Sequence, residues 1–475
     1  MISFVTLILG IAYGTWTVEL SASPQVARID LYVDGKLASE IAPPWKTEVD
    51  LGHEITPREM VAVARGVDGA RLGEARQWIN RAKAYAEARF VLERDAAGRA
   101  TRARLVWSCP TSPKPKAIDV SFDGIPIDAL DPSRIPIPAY SSGSSHVLLA
   151  DLTFDGGVVA TAVASLGGGA KKDVERELTA FPVRLSGTRK RLPDPARLRG
   201  WFQVDGHDLA VAAVEKGTAE VVFISSGLAF KELARLAGRE SVEIFLKQDE
   251  SGTQARSRTV VYRVRSAGKR RSQSKELDRD TVYSFLSPAP QATPGAAAET
   301  RLFPISEAFT SRDGPFLDVN GWAVFTPGDS LPRVAEAVAV SGLSATRRER
   351  RRAVVLLLGR GDLEASDFDA GRAARYLARL GVPLHVWRLA PPESPVAPGW
   401  PKGLDVTTTE GLQAAFRTLR EDLAAQRVIW LEGRVDPSKV EVSPVAQGMA
   451  RALNGQDAPL PDRGGAPHLP RTSSE

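Results

Sequence analysis

Cysteine is almost absent: Cys109 is the one thiol in 475 residues, which excludes a disulfide framework and any cysteine-rich metal site. Five histidines (His53, His146, His207, His385, His468) lie too far apart for metal-ligand spacing. The longest apolar stretch at the start, Met1 to Ile11, falls short of the ~18–20 residues that span a bilayer, so no integral membrane span is expected. There is no nucleophile-elbow Gly-x-Ser-x-Gly, no phosphate-cradling Gly-x-x-x-x-Gly-Lys and no His-Glu-x-x-His. Gly167-Gly168-Gly169 before Lys171 lacks a strand-to-helix context and reads as a hairpin loop. Cys109 has no histidine near it in sequence and reads as a small core residue. No catalytic residue, cofactor or metal ligand is therefore expected.

A strong excess of charge is also missing. With 62 basic against 57 acidic residues the net charge is +5, too small for the footprint of a nucleic-acid binder. Two basic clusters stand out, Arg347-Arg348-Glu349-Arg350-Arg351-Arg352 and Lys269-Arg270-Arg271 with Lys275. Neither carries the interleaved aromatics of a single-strand binder, and both read as solvated loops. The first abuts an apolar strand, where charge discourages aggregation.

What is present is ordinary globular composition, 43% apolar and 25% charged, in a chain long enough for about three domains. The opening apolar run has no preceding Lys or Arg, and Glu19 falls near Ser21-Ala22, so a first β-strand is favoured over a signal peptide. Ile29, Leu31 and Val33 alternate with polar neighbours and end in Asp34-Gly35, a hairpin turn signal. Ile118, Val120 and Phe122 do the same before Asp123-Gly124, and Leu148, Ala150, Leu152 and Phe154 before Asp155-Gly156-Gly157. Two β-sandwiches are the expectation, over residues 1–82 and 83–187, with a connector at 188–218.

The pattern then changes. Val221 to Ile224, Ala353 to Leu358, Val382 to Trp387 and Val428 to Leu431 are continuous apolar runs, as a parallel sheet covered on both faces requires. Helices lie between them. Ser366 with Asp369 reads as a capping box for Ala373, Leu377 and Leu380, and Thr407 with Glu410 opens a helix carrying Leu412, Phe416, Leu419 and Leu423. Strand–helix alternation predicts a doubly wound, Rossmann-like α/β domain over 219–445, followed by a disordered tail at 446–475. His385 and Trp387 sit on an apolar strand and read as packed residues. Asp362, Glu364, Asp367 and Asp369 cluster at a strand's C-terminal end and read as helix-capping carboxylates.

Two resemblances add to this reading. Val26 to Gly35, Pro43-Pro44-Trp45, Val49 to Gly52 and Val61 to Ala64 resemble a bacterial immunoglobulin-like domain, in which Trp45 reads as a packing plug. Residues 331–389 are similar to the second half of a von Willebrand factor type A domain, through the Val334 helix, Arg352 to Leu358, Ser366 and Leu380 to Leu384. That family often binds a divalent cation through Asp-x-Ser-x-Ser after the first strand, a later Thr and a later Asp. Here the first motif falls on Ile224 to Leu228, with Ile224 and Leu228 replacing its Asp and last Ser. The Thr position falls on Ser330, and the Asp position on Gly359 or Asp362. So degenerate a set is a poor site for a hard cation.

The expected function is non-enzymatic: a bacterial, extracytoplasmic interaction, adhesion or scaffold protein. It would hold a protein partner on a metal-independent edge near Ser226, Ser330 and Asp362. A cation-dependent adhesin and a hydrolase with a dispersed active site are the alternatives.

Overall fold

The computed structural model describes residues 2–6, 8, 10–81, 86–109, 112–154, 158–167, 178–186, 195–225, 239–246, 259–266, 280–289, 291–292, 301–303, 305–306, 309–310, 323–325, 332–359, 364–389, 399–433, 435–447 and 449–453. Most of it is β-sandwich. In the first, Ile2–Phe4, Thr15–Ala22 and Lys46–Asp50 face a four-stranded sheet of Lys36–Ile41, Arg28–Val33, Arg58–Arg65 and Arg71–Ile79. The alternation places Ile29, Leu31, Met60 and Ala62 inside, with Val18 and Leu20 from the facing sheet. Asp34 and Gly35 take the positive φ values, 51° and 77°, that the hairpin needs. The opening apolar run begins as a strand, with Ile2 and Ile8 buried in this core and Trp45 packed at its rim.

The second sandwich pairs Ile125–Ile127, Ala117–Phe122, Ser145–Thr153 and Val159–Gly167 against Ile135–Pro136, Ala100–Ser108 and Glu87–Arg94. Asp123-Gly124 turns as expected, and Cys109 packs at the edge of the core. Asp155 to Gly157, Gly168, Gly169 and Lys171 lie outside the described residues.

A third β unit was not foreseen. Val211–Glu215, Gln426–Glu432, Leu178–Leu185 and Ala450–Ala452 form one sheet, and His207–Asp208, Phe202–Val204 and Glu441–Val442 the other. Two expectations change with it. Residues 188–218 carry three strands rather than a plain connector, and Val428 to Leu431 pairs antiparallel in this unit, outside the parallel sheet. The cause is double burial. Ile429 and Leu431 enter the unit's own core, while Val428 and Trp430 face Val147 and Leu149 of the second sandwich. A strand covered on both sides reads as a continuous apolar run whatever its sheet. Ala450–Ala452 forms a strand within the stretch expected as tail, of which residues 454–475 lie outside the described residues.

The chain between Glu215 and Gln426 is thus an excursion from this third unit. It holds a six-stranded sheet: β1 (Ala219–Ser225), β2 (Thr281–Leu286), β3 (Phe309–Thr310), β4 (Arg351–Leu358), β5 (Leu384–Arg388) and β6 (Leu404–Asp405). Their spatial order is 3-2-1-4-5-6, parallel except for β3. Helices α1 (Val334–Ala345) and α2 (Ala370–Arg379) cover the face of Ile224, Val354 and Leu356. Helix α3 (Thr409–Ala425) covers the face of Phe223, Val355, Leu357 and Trp387. Layers on both faces explain why Val221 to Ile224 and Ala353 to Leu358 are apolar at every position.

Candidate functional site

In an open α/β sheet, ligands bind outside the carboxyl ends of the strands, where the strand order reverses. Here that point lies between β1 and β4, at Ser225 and Gly359. Ser226, Ser330 and Asp362, the expected contact edge, lie outside the described residues, as does Leu228. Their neighbours show how the edge is built. Ile224 is fully buried beneath α1, so the position expected to match the motif's Asp is part of the core.

Two members of the acidic cluster, Glu364 and Asp369, serve helix ends. Both carboxylate oxygens of Glu364 accept the first amides of α1, from Val334 at 3.1 Å and Ala335 at 3.2 Å, and Ser366 Oγ accepts from Glu336 at 3.2 Å. Asp369 alone is the N-cap of α2, accepting from Arg372 at 2.7 Å. The expected Ser366–Asp369 box is thereby corrected: the serine serves the neighbouring helix. The cap of α3 is likewise Thr408, accepting from Gly411, while Thr407 donates to Asp405.

Arg333, just before α1, is gripped by Glu336 (Nε–Oε2 2.6 Å) and Asp367 (Nη2–Oδ2 2.5 Å). The hydrogen bond to Glu336 leads in pushing its pKa up, keeping a positive charge fixed among these acids. Amides and a guanidinium thus engage carboxylate oxygens of Glu364, Glu336 and Asp367.

The flank of this edge is closed by the first sandwich. Tyr13 meets Phe368 edge-on at 5.7 Å between ring centroids, and Tyr376 Oη donates to the Asn80 carbonyl at 2.8 Å. Glu54 takes Arg375 at 2.8 Å and Arg379 at 3.2 Å. These contacts dock the sandwich onto α2. The packed reading of β5 holds for Trp387, which is fully buried, while His385 is partly buried with Nε2 3.0 Å from Asp422.

The first basic cluster is corrected most. Arg351 and Arg352 are 1% and 4% exposed, inside the structure rather than on a solvated flank. They are the first residues of β4, where the sheet's lower edge meets the β units. Arg351 donates to the carbonyls of Gly217 and Leu423 and pairs with Asp280 at 2.8 Å. Arg350 reaches Asp151 of the second sandwich at 2.5 Å, and Arg348 donates to Thr153 at 3.0 Å. Beside them Glu215 accepts from Trp430 Nε1 at 3.1 Å, and burial pushes its pKa up to about 7. The sequence reading missed Glu215, Arg350 and Arg351 as structural ties because their partners are remote in the chain. Asp205-Gly206, by contrast, was a legible turn signal for the Phe202–Val204 hairpin. Lys269 to Arg271 and Lys275 lie outside the described residues.

No protein-family profile matches the sequence, and no curated protein matches it. Among solved structures, the fibronectin(III)-like modules of Clostridium thermocellum CbhA share 23% identity with it over 17% of this chain and 93% of theirs, at a TM-score of 0.15. The central fibronectin-III array of RIM-binding protein shares 11% over 43% of this chain and 78% of that one, at 0.19. SGBP-B of the Bacteroides ovatus mixed-linkage glucan utilization locus, in complex with a mixed-linkage heptasaccharide, shares 10% over 56% and 65%, at 0.13. The sandwich architecture of this chain rests on its own strand pairing.

Proposed function

We propose that the chain is a non-enzymatic interaction protein, of scaffold or adhesion type, in which docked β-sandwich units carry a metal-independent von Willebrand factor type A-like domain. The division proposed is a first β unit up to Arg81 and a second over 86–167. A third spans 178–215 and 426–453, and the α/β domain is inserted between its halves. The order 3-2-1-4-5-6 supports the doubly wound part of this reading. The contact face is the carboxyl edge, with Ser226, Ser330 and Asp362 facing a protein partner, and an extracytoplasmic location goes with it.

The observation that carries the metal-independent part is the engagement of Glu364, Glu336 and Asp367 by α1 amides and Arg333. A titration of the chelator-treated chain with Mg²⁺, Mn²⁺ and Ca²⁺ in a calorimeter should give no saturable heat. One tight equivalent would move the reading to a cation-dependent adhesin. No membrane-crossing helix occurs among the described residues.

A further inference from the structure

A cavity of about 60 Å³ opens where the first sandwich, the third β unit and the α/β domain meet. Its wall includes Arg81, Arg352, Arg379, Glu349 and Asp436. A water needs roughly 10–15 Å³ of such space, so the cavity has room for about four waters, or one tetrahedral oxyanion.

The donors are unevenly used. Arg379 is already held by Glu54, the Ile55 carbonyl and Thr56. Arg81 lies over the Trp78 ring at 4.7 Å and touches Asp436 only at 3.5 Å. Arg352 is 4% exposed, and its Nε donates to the Gly381 carbonyl at 3.3 Å. Neither of its Nη groups has a hydrogen-bond partner among the described residues. These Nη groups are not sealed from solvent but reach the cavity, and a planar guanidinium fork suits bidentate contact with an oxyanion. Glu349 and Glu220 are the acids that act on Arg352, but burial pushes the pKa of both up and so weakens them as permanent counter-ions.

We infer that this three-way junction binds a small tetrahedral oxyanion, phosphate or sulfate, through the Nη groups of Arg352 with Arg81 as the second donor. Binding would tie the three units together, since any ligand held only by the docked form stabilises it. Chloride at equal ionic strength would not substitute, because it cannot accept the fork.

The test is calorimetric titration of the full chain with inorganic phosphate and then sulfate at constant ionic strength and pH 7. One saturable site is expected, weakened at least tenfold in Arg81→Gln, a partly exposed position whose change leaves the core intact. Arg352→Met should abolish binding, with thermal unfolding confirming that it folds. Glu349→Gln should bind phosphate several-fold more tightly, because it removes a competing negative charge. The proposal is overturned if the wild type gives no saturable heat beyond chloride, or if Arg81→Gln binds as well as wild type. It is equally overturned if Glu349→Gln weakens binding, for the cavity is then a water-bridged Arg352–Glu349 pair.

Discussion

Replacing Arg350 with methionine is expected to weaken the joint between the second sandwich and the rest of the chain by about 3–5 kcal/mol. The reason is the partner left behind. Asp151 has 1% of its side chain exposed, and it accepts from Arg350 Nε at 2.9 Å and Nη2 at 2.5 Å, with Thr161 Oγ1 at 2.7 Å. Without the guanidinium a carboxylate stays buried and uncompensated. The natural readout is hydrogen exchange in strand Ser145–Thr153, which carries Asp151. Protection there should fall roughly 10²- to 10⁴-fold, at 1.36 kcal/mol per decade. The paired variant Asp151→Leu/Arg350→Met should recover most of it, because an apolar replacement of both partners is often near neutral. Unchanged protection in Arg350→Met would show that the pair is not what holds the joint.

The second large effect depends on pH. Glu215 is 5% exposed, and its pKa rises from the ordinary 4.5 to about 7, chiefly because burial disfavours its charge. The Trp430 N–H and Arg350 oppose the rise, and Asp151 and Asp123 add to it. The folded-state value lies above the unfolded one, so the stability this group confers is complete below about pH 4.5 and is lost as pH climbs through about 7. The full loss amounts to roughly 3 kcal/mol. Glu215→Gln keeps an acceptor for Trp430 and removes the titration. Above pH 8, exchange protection of strand Gln426–Glu432 should be higher in this variant than in wild type, and at pH 4.5 the two should agree. Parallel pH profiles would mean that Glu215 is solvated in the folded chain.

Local signals carried much of the architecture. Asp34-Gly35 and Asp123-Gly124 marked their hairpins, and the apolar runs of β1, β4 and β5 marked a parallel sheet, because turn chemistry and double burial are written in neighbouring residues. The third β unit was not legible. Its strands come from both sides of an excursion of about 200 residues, and pairing between Leu178–Leu185 and Gln426–Glu432 leaves no local trace. The basic run at Arg347 misled for the same reason. A charge looks solvated until its partner is known, and Asp151 and Asp280 are far away in sequence. At the carboxyl edge the apolar run ending at Ile224 was readable as core. The use of Glu364 and Ser366 by α1 rather than α2 was not, since both helices lie within reach of that loop.

The proposed metal-independent partner face on the α/β sheet is tested most directly by quantitative capture. Immobilised full chain, wild type and the Ser226→Ala/Ser330→Ala/Asp362→Ala variant, would be presented to a lysate of the source organism in EDTA and in Mg²⁺. One protein partner should be retained equally by wild type in both buffers and depleted at least tenfold by the variant, whose unfolding transition matches wild type. Retention that vanishes in EDTA, or that the triple variant keeps in full, would contradict it.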